Sequence, residues 1–146
     1  MKKKGFIATI IGLIIIQFFP ISKESQSIDS SLDFIITQPD LSETEVTLLK
    51  TSCMDCHSYE TSFPGYTRWQ PIGWWTRGHV RGGRKKLNFS EWNNYSNEDK
   101  VFIARKCIEV LEEGRMPLKS YTWMHEGSAL TQQSQEQLKT LFQRYK

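Results

Sequence analysis

The chain has 146 residues, 38% of them hydrophobic and 24% charged. That suits one modest globular domain and excludes a polytopic membrane protein, a repeat solenoid and wholesale disorder. Its net charge of +3 does not point to a polyanion: Lys2, Lys3 and Lys4 carry the excess and leave 16 basic residues against 16 acidic ones. A nucleic-acid partner is not expected, because a binder keeps its positive excess on the folded part.

Residues 1–21 read as a signal-anchor or signal peptide. The three lysines precede an apolar stretch from Phe6 to Phe19, broken only by Thr9, Gly12 and Gln17. This is the charged and then apolar order of an export signal. No small-x-small cleavage site follows, since Gln17 to Ile21 is bulky. The expectation is therefore an uncleaved anchor over residues 6–21, holding the chain to the inner membrane with the lysines in the cytoplasm and the rest in the periplasm. The stretch is short for a hydrocarbon core that usually needs about 20 residues. Residues 22–40 read as a tether, with five serines between Ser22 and Ser31. Phe34-Ile35-Ile36 is expected to be a short extended piece packed on the domain, and Pro39 separates the tether from it.

Residues 41–146 read as the folded domain, mostly α. Ser42 and Glu45 have capping-box spacing, and Val46, Leu49 and Cys53 follow at helical intervals, which predicts a helix over about 43–54. Ser96 and Asp99 open a second helix with Val101, Ala104, Ile108 and Leu111 on one face and Gly114 as its stop. Ile103, Cys107 and Val110 widen that face, so the helix is expected to be packed on more than one side. A third helix starts near Thr131 and carries Leu138, Leu141, Phe142 and Tyr145. Between 58 and 95 lies a Gly-, Pro- and aromatic-rich stretch, expected to be loop with one short helical turn after Ser90. A loop that long in a small domain wraps around something.

Cys53-Met54-Asp55-Cys56-His57 supplies the object. It is C-x-x-C-H, the attachment sequence for c-type haem. Two cysteines on one helical turn can each form a thioether with a haem vinyl group, and the next histidine lies under the ring to ligate iron. Three other uses of the cysteines are weaker. A Cys53–Cys56 disulfide leaves the histidine unexplained, and a thioredoxin-type pair wants a βαβ pattern. A zinc site drawing on Cys53, Cys56, Cys107 and a distant histidine lacks a second close ligand pair. Cys107 falls in the apolar sector of its helix, as a small buried hydrophobe does.

The second axial ligand is open among Met116, His79, His125 and no protein group. Met54 sits inside the attachment turn and cannot reach over the ring. Met116 follows the second helix in Gly114-Arg115-Met116-Pro117, and Pro117 biases it toward extended backbone. Either histidine would give bis-imidazole ligation and a lower potential.

The chain resembles the small bacterial haem-binding-domain proteins, which combine a cytochrome c-like fold with an N-terminal hydrophobic segment. The resemblance spans about residues 41–145. It rests on Cys53-x-x-Cys56-His57-Ser58, Thr61, Pro64, Tyr66, Trp74-Trp75, His79-Val80, the run from Gly83 to Trp92 with its Leu-Asn-Phe-Ser-Glu-Trp, Met116-Pro117, Tyr121, His125 and Ala129-Leu130-Thr131. It implies one covalent haem c in the periplasm, with Met116 as axial ligand in a class I cytochrome c-like helical domain wrapped around that haem. Trp69, Trp74, Trp75, Phe89 and Trp92 are then expected to wall the cofactor. Among Arg77, Arg81, Arg84, Lys85 and Lys86, one is expected on a haem propionate, and the surplus would form a docking patch for an acidic redox partner protein.

The expected function is single-electron transfer by a monohaem c-type cytochrome rather than enzymatic turnover. The alternative is a haem enzyme of peroxidase type, or a gas or redox sensor, with an open distal site served by His79 or His125. A purely structural haem is a third reading.

Overall fold

The computed structural model describes residues 2–19, 29–31 and 33–145. Of the expected tether, residues 22–28 and 32 lie outside the described residues, as do residues 20 and 21 before it. Helix α1 spans Lys2–Gln17. Its apolar side chains stand exposed all round, Phe6 and Ile7 on one turn and Ile14 and Ile15 on another. Sixteen residues reach about 24 Å. Among the described residues, no helix is long and apolar enough to cross a membrane.

Helix α2 is the single turn Phe34–Thr37, capped by the Asp33 carboxylate, which accepts from the amides of Ile35 and Ile36. The expected extended piece is therefore helical, because Asp33 supplies the cap that Phe34-Ile35-Ile36 lacks. It does pack on the domain: Phe34 is completely buried.

Helix α3 spans Glu43–Leu49 and opens with the expected capping box, Ser42 Oγ accepting from the Glu45 amide and the Glu45 carboxylate accepting from the Ser42 amide at 2.8 Å. It runs without a break into a π-helical turn, Lys50–Met54, and then into α4, Asp55–His57. After a 3-10 turn at Gly65–Arg68 comes α5, Ile72–Lys86. This is the largest departure from expectation, a helix of 15 residues where a loop was read. A second 3-10 stretch, Phe89–Asn94, matches the short turn expected near Ser90. Helix α6 (Asn97–Glu112) is capped by Ser96 and ends before Gly114, whose φ of 62° requires the left-handed conformation glycine tolerates. Helices α7 (Lys119–Met124) and α8 (Gln132–Gln143) complete the chain, α8 capped by Thr131. No strand occurs among the described residues.

The core lies where α3, α6 and α8 meet. Leu49, Ile103, Ala104, Ile108, Leu111, Leu138, Leu141 and Phe142 are all buried there. Each large aliphatic or aromatic side chain so buried contributes about 1.5–3 kcal/mol. One end is closed by aromatics: the Phe34 ring lies 5.3 Å from Phe89, 4.8 Å from Trp92 and 5.7 Å from Tyr145, centroid to centroid. An ion pair of 2.7 Å from Arg144 to Glu45 joins the end of α8 to α3. Helix α5 stands outside this core and packs on α4 and on the first 3-10 turn. It thereby forms the second wall around the C-x-x-C-H turn.

Candidate functional site

The π turn and α4 carry Cys53, Cys56 and His57 on one short helical run. Its backbone is tied down by neighbours both near and distant in sequence. Ser58 Oγ donates to the Met54 carbonyl at 2.8 Å and Ser52 Oγ to the Ser128 carbonyl at 3.0 Å. Arg84 of α5 donates to the Ser58 carbonyl at 2.8 Å and to Thr61 Oγ1 at 2.9 Å, while Thr61 Oγ1 donates to the Asp55 carbonyl at 2.7 Å. From the other side, the Tyr121 hydroxyl of α7 lies 2.8 Å from Asp55 Oδ2 and 3.1 Å from the Thr51 carbonyl. Arg84, expected as one of the propionate partners, is thus engaged in holding the loop after the motif.

His57 Nδ1 lies 3.0 Å from the Leu87 carbonyl. A carbonyl only accepts, so Nδ1 carries the proton and Nε2 presents its lone pair, as an imidazole must to bind a metal. Burial holds the ring below its ordinary pKa of 6.5, with Lys86 acting in the same sense and the Leu87 and Gly83 carbonyls opposing it. All three cysteines are free thiols. Burial and then the neighbouring Cys56 push Cys53 up to about 12, and burial followed by Cys53 does the same for Cys107. Cys56 is raised by burial and Asp55 against the pull of Arg84. The motif therefore offers protonated thiols and a neutral imidazole.

Two cavities meet at this turn. One of about 320 Å³ is lined by Cys53, Cys56, His57, His79, Met116 and Tyr121, with Gly78, Gly82 and Gly83 of α5 forming a wall without side chains. Another of about 520 Å³ runs between α6 and α8 past Cys53, His57, Phe89, Cys107, Val110, Met116 and Phe142. His57 and Met116 line both. The second face expected to be packed on α6, with Cys107 and Val110, borders the larger cavity and is half-buried.

The aromatic wall differs from expectation. Trp69, Trp74 and Trp75 are exposed, and Trp92 is buried in the aromatic cluster; of the five, Phe89 alone lines either of these two cavities. The structure instead uses Phe102, Val110, Leu138 and Phe142. The two histidines separate as well. His79, whose Nδ1 lies 2.9 Å from the Trp75 carbonyl, lines the smaller cavity; His125 stacks on Tyr121 at 4.1 Å and lines neither. The expected basic residues also divide: Arg77 lies over the Phe63 ring, whereas Lys85 and Lys86 border the larger cavity with Lys106 and Arg115. Sequence reasoning gave no role to the Tyr121–Asp55 contact or to the Leu87 carbonyl; the first has a signal only in the residue type, the second none.

Among the described residues, no three His, Cys, Asp or Glu side chains form a group able to hold a bare metal ion, so the zinc arrangement is not assembled. What is assembled is a helical domain whose largely apolar hollow carries an imidazole and a thioether, which is the donor set of a haem protein. A family model described as a haem-binding domain matches residues 11–144, and the chain belongs to that family. No curated protein and no solved structure matches it. The residues present fit haem: free Nε2, two thiols on the same turn, a thioether lining the same space, apolar walls and lysines at the edge for carboxylates.

Proposed function

We propose that the domain carries one haem c, joined by thioethers to Cys53 and Cys56, with His57 and Met116 as axial ligands of its iron, and that it transfers single electrons in the periplasm. When bound, the haem supplies a one-electron iron couple. The observation that carries this reading is that His57 and Met116 both line both cavities, with His57 Nδ1 committed to the Leu87 carbonyl. Arg84 and Tyr121 hold the attachment turn rigid, which keeps the imidazole in one orientation. Phe89, Leu138 and Phe142 keep water from the interior edge. Lys85, Lys86, Lys106 and Arg115 border the larger cavity. They favour an acidic redox partner protein there, in keeping with electrostatic steering.

His79 supports a second reading, because it lines the smaller cavity with His57 and Met116. There the position opposite His57 stays open to a small molecule, with His79 as the distal acid–base group of a peroxidase-like enzyme or a gas sensor. One experiment separates the two. The chain is co-expressed with the haem c maturation machinery, and wild type, Cys53→Ala/Cys56→Ala and Met116→Ala are compared by haem stain after denaturation and by optical spectrum. The cytochrome reading expects stain in the wild type, none in the double variant, and a low-spin spectrum that turns high-spin in Met116→Ala. A wild type already high-spin and binding carbon monoxide moves the assignment to the enzyme or sensor. Absence of covalent haem overturns both.

A further inference from the structure

The chain entering α5 presents an exposed apolar surface: Trp69 is 66% exposed, Trp75 54% and Ile72 47%. Three large apolar groups within seven residues are more than scattered surface hydrophobes. This corner is joined to the end of α1. The Gln17 side-chain amide donates to the Gln70 carbonyl at 3.0 Å and accepts from the Gln70 amide at 2.9 Å, and Gln70 Oε1 in turn accepts from the Trp74 amide at 3.2 Å. Phe18 and Phe19, both exposed, follow directly. An apolar helix exposed on every side is suited to lipid rather than to one protein face, and its end is fixed at the Trp corner.

Charge points the same way. From Thr61 to Ser90 there is no aspartate or glutamate, but there are six basic residues, Arg68, Arg77, Arg81, Arg84, Lys85 and Lys86. Arg68, next to Trp69 in the chain, is exposed. Tryptophan rings settle at the headgroup level of a bilayer, and arginine and lysine beside them attract anionic lipids.

We infer that Trp69, Ile72 and Trp75, with Arg68 beside Trp69 in the chain, dock the folded domain on the headgroup layer of an anionic phospholipid bilayer beside the end of α1. The domain then lies on the membrane surface instead of swinging at the end of a tether. This inference is independent of the haem assignment.

Hydroxyl-radical footprinting of the full chain with its cofactor tests it, read at each tryptophan by mass spectrometry. The chain is reconstituted in vesicles of phosphatidylethanolamine with phosphatidylglycerol, and in vesicles of phosphatidylcholine alone. Trp123, 86% exposed on α7, is the internal reference. On the anionic vesicles, oxidation of Trp69 and Trp75 is expected to fall about threefold or more relative to Trp123, and less on phosphatidylcholine. Arg68→Glu, an exposed substitution, is expected to restore oxidation while the chain stays vesicle-bound. Equal oxidation of the three tryptophans overturns the inference, as does a chain that does not bind vesicles. Protection seen only in native membranes and not on protein-free vesicles also overturns it, and assigns the corner to an acidic protein.

Discussion

Gly83 is the residue on which α5 turns against the attachment motif. A Cβ at this position would lie 2.5 Å from the Cys56 carbonyl oxygen and 3.2 Å from its carbon. Both are backbone atoms of α4, which cannot rotate away. Gly83→Ala is expected to destabilise the domain by about 1–3 kcal/mol, read as a lower urea midpoint with unchanged slope. Gly82→Ala differs in kind, since its Cβ meets nothing within 4 Å and projects beside the smaller cavity. It is expected to leave the unloaded domain as stable or up to about 1 kcal/mol more so, yet to lower the yield of stained haem. A stability loss equal to that of Gly83→Ala would contradict this. At the same scale, burial alone would raise the Glu45 carboxyl, but the Ser42 amide and hydroxyl and the Arg144 guanidinium outweigh it and hold it below the ordinary 4.5. A carboxyl depressed in the folded state adds stability above pH 4.5 and loses it as pH falls through the folded value. Glu45→Gln is expected to lower stability at neutral pH and to flatten the acid side of the stability profile.

Helix α2 shows how much a single turn can hold. Phe34 has no exposed surface and is the ring that Phe89, Trp92 and Tyr145 share. Phe34→Ala is expected to cost about 3–5 kcal/mol, measured by chemical denaturation, and a chain starting at residue 41 should suffer at least as much. That dependence was legible only as an apolar triplet in polar surroundings. The capped helices α3, α6 and α8 were legible because serine or threonine, an acid or hydroxyl three residues on, and apolar residues at intervals of three and four all agree. Helix α5 was not. Gly73, Gly78, Gly82 and Gly83 each disfavour helix by about 1 kcal/mol relative to alanine, and its N-cap residue is Pro71, which has no side-chain acceptor to offer. Packing on α4 overrides that propensity, and close approach to the Cys56 carbonyl is why position 83 is glycine. The readable traces were Arg84, Lys85 and Lys86 in the last turn, which suit the negative end of a helix dipole, and the buried spacing of Gly73, Val80 and Leu87.

At the scale of the whole molecule, a domain with hollows of about 320 and 520 Å³ beside its core gains stability from the group that fills them. A group bonded to the chain stays with it on unfolding, so its gain comes from contacts made only in the folded state; about 4 kcal/mol of these, two buried apolar side chains' worth, corresponds to roughly 15 °C in melting temperature for a domain of this size. Cys53→Ala/Cys56→Ala, isolated without haem, is expected to melt lower than the loaded wild type by at least that amount in calorimetry. The candidate site was only partly legible for a related reason. Cys53, Cys56 and His57 are contiguous, so their chemistry is written locally, and Met116 is marked by its place after a helix stop. The Leu87 carbonyl that sets the imidazole tautomer belongs to the backbone, and no side-chain letter records it. The tryptophans of α5 misled because an aromatic suits a cofactor wall and a lipid surface equally, and only their exposure separates the two.

The π turn at Lys50–Met54 begins three residues before Cys53 and carries that first thiol. Each residue of an α-helix rotates its successors by about 100°, so removing a single residue such as Thr51, and with it the wide turn, would swing the entire Cys-x-x-Cys-His pentad a quarter revolution or more relative to Leu49. The five letters would be intact and aimed elsewhere. The orientation of the attachment sequence is thus stored outside the attachment sequence, in a spare residue of the preceding helix. A homologue lacking that residue is expected to keep the signature and fail the haem stain unless a compensating insertion restores the turn.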